Sequence, residues 1–314
     1  MINRALIRIK VIQLLYSFLL TQDRKAPLYN VLDELERSLD KAYELYLSLF
    51  VLMSDITFLE RRRIDSKQLK YLPTDVEMNP NLRFVENKFI AKFNANTTLE
   101  EYLKKTPISW RNEAYVTTLA DKIRQSECYQ QYMALESADL VADTQIWIDL
   151  MQHVILPDED FAGILEDKSL YWNDDLTIIG DFVVKTMLYF IKDVNEKKDE
   201  AEFTFFDKYT NKENETFAKK LFSATVNNYD TYSSIIESHL DQKRWDLNRI
   251  PFMDRVIMSA AMAEMTHFPK IPFNVTMNEY IEMAKSYSTP NSGSFVNGLL
   301  HSAKEGIKQL NQKH

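Results

Sequence analysis

The chain has 314 residues, room for two domains of about 150 residues or one large one, and enough to bury a core without covalent staples. Its 5 glycines and 9 prolines are fewer than half of average usage, which points to a mostly helical chain with few tight turns. One cysteine, Cys128, excludes an intrachain disulfide framework and a cysteine zinc site, and the five histidines form no pair at helical ligand spacing. The net charge of −8 argues against nucleic acid when taken whole, yet residues 1–25 carry +4, residues 215–314 carry +1 and residues 26–214 carry −13. The acid belongs to the middle of the chain, and that asymmetry needs an explanation.

The first ten residues carry three cations and the next ten are largely apolar, as in a signal peptide, but Thr21-Gln-Asp-Arg-Lys25 is no small-residue cleavage site. The expectation is a cytoplasmic helix over about 3–21, with no stretch apolar enough to span a membrane. On it Ile9, Ile12, Tyr16 and Leu19 form an apolar stripe, Asn3, Lys10 and Ser17 a polar one, and Arg4 and Arg8 share a side. A long helical pattern follows from Pro27 to about Leu69, ending near Arg61-Arg62-Arg63, either a solvated helix end or a second basic patch. Pro73 to Pro80 reads as loop, and helical segments are expected near 82–105, 109–156 and 173–194. Thr98-Leu-Glu-Glu101 reads as a capping box, Pro157-Asp-Glu-Asp160 as the start of a short helix, and Lys197 to Lys212 as the most loop-like stretch.

Helices are then expected over 215–228 and 230–240, a connector over 244–251, and a helix over 252–266 burying Val256, Ile257, Ala260 and Ala261. Thr276-Met-Asn-Glu279 can cap the next helix, with Met277, Tyr280, Ile281 and Ala284 inward. The last helix, 292–311, lines Phe295, Val296, Leu299, Leu300, Ala303 and Ile307 on one side; Gly298 inside it costs about 1 kcal/mol relative to alanine, which calls for another helix approaching closely.

No catalytic constellation emerges. Glu279 and Glu282 read as capping or solvated groups, Cys128 has no nearby histidine, and His301 reads as a surface residue. No glycine-rich phosphate loop exists. On the first helix, cations to hold phosphates (Arg4, Arg8, Lys10) precede an aromatic, Tyr16, able to stack on an unpaired base, a pattern shared by RNA contact and by the basic end of a core helix.

Four blocks carry a resemblance to the NusB family of bacterial transcription antitermination factors: Trp245-Asp-Leu-Asn-Arg-Ile-Pro-Phe-Met-Asp-Arg-Val-Ile-Met, Ala263-Glu-Met, Ile271-Pro-Phe-Asn-Val-Thr-Met-Asn-Glu-Tyr-Ile-Glu-Met-Ala-Lys and Asn291-Ser-Gly-Ser-Phe-Val-Asn-Gly-Leu-Leu. Gln13-Leu-Leu-Tyr-Ser-Phe18 is similar to the family's first helix. The resemblance covers roughly 1–24 and 215–314. It implies an all-α pair of helical bundles: an N-terminal helical domain over 1–240 (first helix 1–24, inserted helices 25–214, family-like helices 215–240) and a C-terminal bundle over 241–314. It implies no enzymatic activity and no cofactor. It also implies binding of boxA-type single-stranded RNA from ribosomal RNA transcripts together with NusE, a small-subunit ribosomal protein, within the transcription elongation complex in the cytoplasm. Carried over by position, Arg4, Arg8 and Tyr16 match RNA-facing positions of the first helix, Lys285, Ser292 and Asn297 match positions near the RNA on the last two helices, and Asp254 matches an acidic position facing NusE. Ala5, Leu6 and Ser294 stand where the family often has cations, which removes phosphate contacts, and Asn291 stands where an acid is common, which works the other way. Competing readings are a helical scaffold that binds only proteins, its acidic middle the working surface, and an RNA cytosine methyltransferase, for which the glycine-rich cofactor loop and catalytic cysteines are missing.

Overall fold

The computed structural model describes residues 1–21, 28–172, 174–197, 200–240, 250–304 and 306–307. Among these residues there is no strand, only an isolated parallel bridge between Ile2 and Tyr209, and the fifteen α-helices agree with the all-α expectation. Helix α1 (Arg4–Leu20) starts at Asn3, whose side chain accepts from the Leu6 amide and so satisfies one of the unpaired N–H groups of the first turn. Helix α2 (Leu28–Gln68) matches the expected long helix almost residue for residue.

The expected loop after it contains a one-turn helix, α3 (Asp75–Met78), closed by a capping box between Thr74 and Glu77. Helices α4 (Lys88–Asn94) and α5 (Thr97–Lys105) are separated at Asn96, which accepts from the Thr98 and Leu99 amides. Thr98 therefore lies inside α5, and its expected capping role belongs to Asn96. The single stretch expected over 109–156 is three helices, α6 (Ala114–Gln125), α7 (Glu127–Ala134) and α8 (Leu140–Leu150), the last prolonged by a π-helical turn over Met151–Ile155. Ser126 caps α7 and Asp139 caps α8, two short polar side chains that offer the backbone an alternative to continuing the helix. Helix α9 (Glu159–Lys168) begins at Asp158 with Glu159 and Asp160 in its first turn, as expected, and α10 (Leu176–Lys197) completes the middle of the chain. The C-terminal part comprises α11 (Lys212–Asn227), α12 (Tyr229–Ser238), α13 (Phe252–His267), α14 (Phe273–Tyr287) and α15 (Ser292–Ser302). The expected connector, including Trp245, lies outside the described residues up to position 249.

The chain divides into two compact units, one of Met1 with Asp40–Asp207 and one of Ile2–Leu39 with Lys208–His314. This differs from the expected 1–240 and 241–314 division. The reason is local: Ile2 donates to the Lys208 carbonyl at 2.7 Å and accepts from Thr210 at 3.2 Å, and α1 packs on α11 and α13.

The first unit is built on aromatic side chains. Phe203 and Phe205, in a stretch with no regular structure that reads as a solvated loop, are buried; Phe203 meets Phe50, Phe89, Phe93 and Phe190 edge-on or tilted. Such contacts add to the burial of each ring. Asp55 accepts from the Trp110 amide and from Arg111 Nε, both at 2.7 Å, so this buried carboxylate is satisfied. The Arg61–Arg63 triple is tied locally: Arg61 to Glu86, Arg63 to Glu60, and Arg62 over the Phe58 ring. Within Tyr29–Gln68 an 18-residue window is long and apolar enough by composition to cross a membrane, contrary to expectation, and 72% of it is buried inside the protein.

In the second unit α13 is central. Val256, Ile257, Met258, Ala260, Ala261, Met262 and Ala263 are all fully buried, because α13 packs against α1, α11, α12, α14 and α15. Thr276 does not cap α14; it sits one turn inside it, behind Pro272. Gly298 meets nothing: a Cβ added there would find no atom within 4 Å, so no helix approaches it. The close approach occurs at Gly293, where a Cβ would lie 2.6 Å from Lys285 Cγ.

Burial raises the phenol pKa of several tyrosines, to about 12 for Tyr232 and further for Tyr46 and Tyr280. Folded, these groups stay neutral, while in the unfolded chain they ionise near pH 10. Above that pH the unfolded state binds fewer protons, so stability falls as pH rises, by about 1.4 kcal/mol per pH unit for each such tyrosine. Urea unfolding followed by circular dichroism should give a constant midpoint from about pH 8 to 10 and a falling one above.

Candidate nucleic-acid interface

Glu264 lies on α13 among buried alanines and methionines and is itself fully buried. A lone carboxylate in such surroundings needs charge and hydrogen bonds. It receives both: Arg8 Nε donates at 2.7 Å and Arg8 Nη2 at 2.8 Å, Thr276 Oγ1 at 2.8 Å, and the Tyr280 hydroxyl at 3.1 Å. The third guanidinium nitrogen of Arg8 reaches Glu279 at 3.1 Å. Burial lowers the pKa of Arg8, but the hydrogen bond and charge of Glu264 outweigh that and hold it above its ordinary value. Burial first, then the Glu264 carboxylate, keeps Tyr280 neutral. The cluster joins α1, α13 and α14.

This placement changes the role expected of Arg8. With its side chain 4% exposed and both faces of its fork engaged by carboxylates, it holds the fold and does not face a phosphate. Glu279, expected to be a capping or solvated group, is part of the same cluster. Lys10 is also buried, at 4% exposure, off the polar stripe expected for it. Arg4 is the partly exposed cation of α1: its guanidinium lies over the Phe217 ring at 5.2 Å and pairs with Glu213 at 3.2 Å. Tyr16 is half-buried, its ring edge-on to Phe252 at 5.3 Å.

The remaining expected residues gather near the start of α15. Ser292 is buried and donates to Asp254 Oδ2 at 2.8 Å, while accepting from the Thr289 amide at 3.1 Å. Asp254, expected to face a protein partner, is 1% exposed, so its carboxylate holds the N-terminal end of α15 in place and presents no surface of its own. Its second oxygen, Oδ1, has no hydrogen-bond partner. Beside it opens a groove of about 300 Å³ walled by Ile250, Pro251, Thr289, Asn291 and Phe295. Lys285 is exposed and paired with Glu282 at 2.6 Å, and Asn297 is exposed. Ser294, Asn297, Gly298 and His301, at helical spacing, form one exposed face of α15 that carries no large apolar side chain.

Sequence reasoning missed Glu264 as the partner of Arg8. The signal was present: a single acid in Ala260-Ala-Met-Ala-Glu-Met265 is on a helix too apolar to be a surface helix, and a buried acid requires a buried donor. Among the described residues no group of three or more His, Cys, Asp or Glu could hold a metal ion.

An all-helical unit in which a basic first helix is clamped to a C-terminal bundle, in a chain that also carries a separate acidic helical unit, is the class that fold and site define. The NusB family profile matches residues 184–305. The transcription antitermination protein NusB of Dictyoglomus thermophilum is 36% identical over 128 residues, 40% of this chain and 84% of that protein. Those of Bacillus mycoides and Salinibacter ruber are 37% identical over 95 residues and 42% identical over 84 residues, 30% and 27% of this chain and 72% and 51% of the respective proteins. The chain belongs to the NusB family, and spans about half the length of the Salinibacter ruber relative.

Arg8→Ala leaves a buried carboxylate without its cation and should destabilise the protein by about 3–5 kcal/mol. Urea unfolding measures this, and a variant as stable as wild type would mean that the cluster does not hold α1. The loss should appear without any RNA, which separates a structural role from a phosphate contact.

Proposed function

We propose that the protein is an RNA-binding transcription antitermination factor of ribosomal RNA operons, acting in the cytoplasm by assembly and without chemistry or cofactor. It binds boxA-type single-stranded RNA together with NusE within the transcription elongation complex. The observation that carries the reading is the groove at the start of α15. Its wall holds the Phe295 ring beside Thr289 and Asn291. Thr289 and Asn291, both exposed, offer hydrogen-bonding groups to the edge of a base. Unpaired bases are recognised by such hydrogen bonds combined with aromatic contact.

The surroundings support the same occupant. Arg4 and Lys285 provide exposed positive charge, Tyr16 an aromatic edge and Asn297 an amide, while the missing side chain of Gly298 lets a backbone approach α15. Arg8, Lys10 and Ser292 act from inside, as groups that hold α1 and α15 in place, and Asp254 serves NusE only through the position of α15. The relatives' name, transcription antitermination protein, agrees with this reading.

Titration of the full chain with a boxA-like RNA, with and without NusE, tests it. Binding should weaken with salt, with a log–log slope of about −0.7 per phosphate contact. Phe295→Ala should lose about tenfold in affinity with the helical content unchanged, as expected for one stacked base. No salt-dependent binding, alone or with NusE, would overturn the proposal in favour of a scaffold that binds only proteins.

A further inference from the structure

A second groove lies on the same unit, apart from the one at α15. It has a volume of about 340 Å³ and runs from the first turn of α1 across α11 to the segment joining α13 to α14. Its floor includes Phe217 and Phe268, whose rings meet edge to face at 4.8 Å. Around the floor stand four nitrogen-bearing side chains: Arg4, Lys220, His267 and Lys270.

Lys220 and Lys270 are exposed and make no ion pair among the described residues, whereas Lys219, the neighbour of Lys220 on the same helix, is held by Glu36 at 2.7 Å. Among the described residues the one ion pair of Arg4 is with Glu213, and its side chains are 34% and 70% exposed. An exposed pair of this kind contributes little, about 0–1 kcal/mol, and gives way to a stronger anion. Phe217 is buried beneath the Arg4 guanidinium, so it aims the cation and offers no face to a base. The groove thus concentrates positive charge on a chain that is acidic overall, and its chemistry is that of an anion site without base readout.

We propose that this groove takes a backbone phosphate of the bound RNA, held by Arg4, Lys220 and Lys270, with Glu213 as the internal anion that the phosphate displaces. The proposal rests on the RNA-binding reading above and adds a second contact to it. The groove contributes affinity that is insensitive to sequence, because phosphate contacts position a nucleic acid and do not read it.

The test uses the full chain and a boxA-like single-stranded RNA extended at both ends. The Lys220→Gln/Lys270→Gln double variant should keep its fold, since both side chains are exposed. Losing two cations should flatten the log–log salt slope by about 1.4 and weaken binding about tenfold at low salt. Glu213→Gln frees Arg4 and should tighten binding about twofold to threefold. Phe295→Ala, in the other groove, should weaken binding with no change of slope. If wild type binds RNA and the double variant matches it in affinity and slope, the groove proposal fails alone. If wild type binds no RNA, the functional reading fails and takes this proposal with it. If polyglutamate binds wild type more tightly than RNA of equal charge and loses that affinity in the double variant, the occupant is an acidic protein and the proposal is overturned.

Discussion

The Glu264 carboxylate and the Arg8 guanidinium meet inside the C-terminal unit, and the placement of three helices depends on them. An isolated buried carboxylate is so unfavourable that the fold must bring donors to it. Here the donors come from α1 and α14, which are 256 and 12 residues away along the chain. Hydrophobic burial alone would let α1 slide or rotate on the apolar face of α13. A two-pronged guanidinium contact fixes both its register and its rotation. The position of Arg4 and Tyr16 on the surface, and hence of any interface along α1, follows from that fixation.

A second constraint is the separation of charge. The acidic stretch forms a compact unit of its own over Asp40–Asp207, with an aromatic core, satisfied buried carboxylates such as Asp55, and paired arginines. The family profile's match, residues 184–305, falls mostly in the other unit, which is made of the two ends of the chain and is close to neutral or basic. Keeping the acid on a different unit avoids mixing it into the basic helices, so a large acidic insertion is compatible with an anion-binding function of the rest. The net charge of −8 is an average over two surfaces of opposite character.

Much of this was legible in the sequence, and the failures have physical causes. Helices α1, α2 and α13 follow from the spacing of apolar residues and from Asn3 and Pro251 at their starts. The breaks at Asn96, Ser126 and Asp139 were hidden, because a short polar residue inside an apolar period looks like a surface position until its side chain is seen to accept from the backbone. Phe203 and Phe205 were lost in a run of charges that dominates composition while two rings carry the packing. At the candidate site, Arg8 and Lys10 read as surface cations, since spacing on one helix cannot report what packs over it, in the case of Arg8 a partner 256 residues later. Gly298 was read correctly as anomalous but assigned to the wrong neighbour: the helix that approaches closely does so at Gly293.

The burial of Arg8 and Lys10 has a consequence for how RNA would be held. The +4 of the first 25 residues suggests a strongly basic helix, yet among its described cations only Arg4 remains near solvent. A surface with so few free charges cannot reach high affinity through phosphates alone, because each contact contributes only one counterion's worth of release. On the proposed function, the deficit is met in two ways. Base contact in the groove at α15 would add affinity that salt does not erase, and a partner sharing the same RNA would add contacts that this chain lacks. A protein that binds its RNA weakly by itself and well only in company responds to the presence of the complete assembly, which is the behaviour an assembly factor needs.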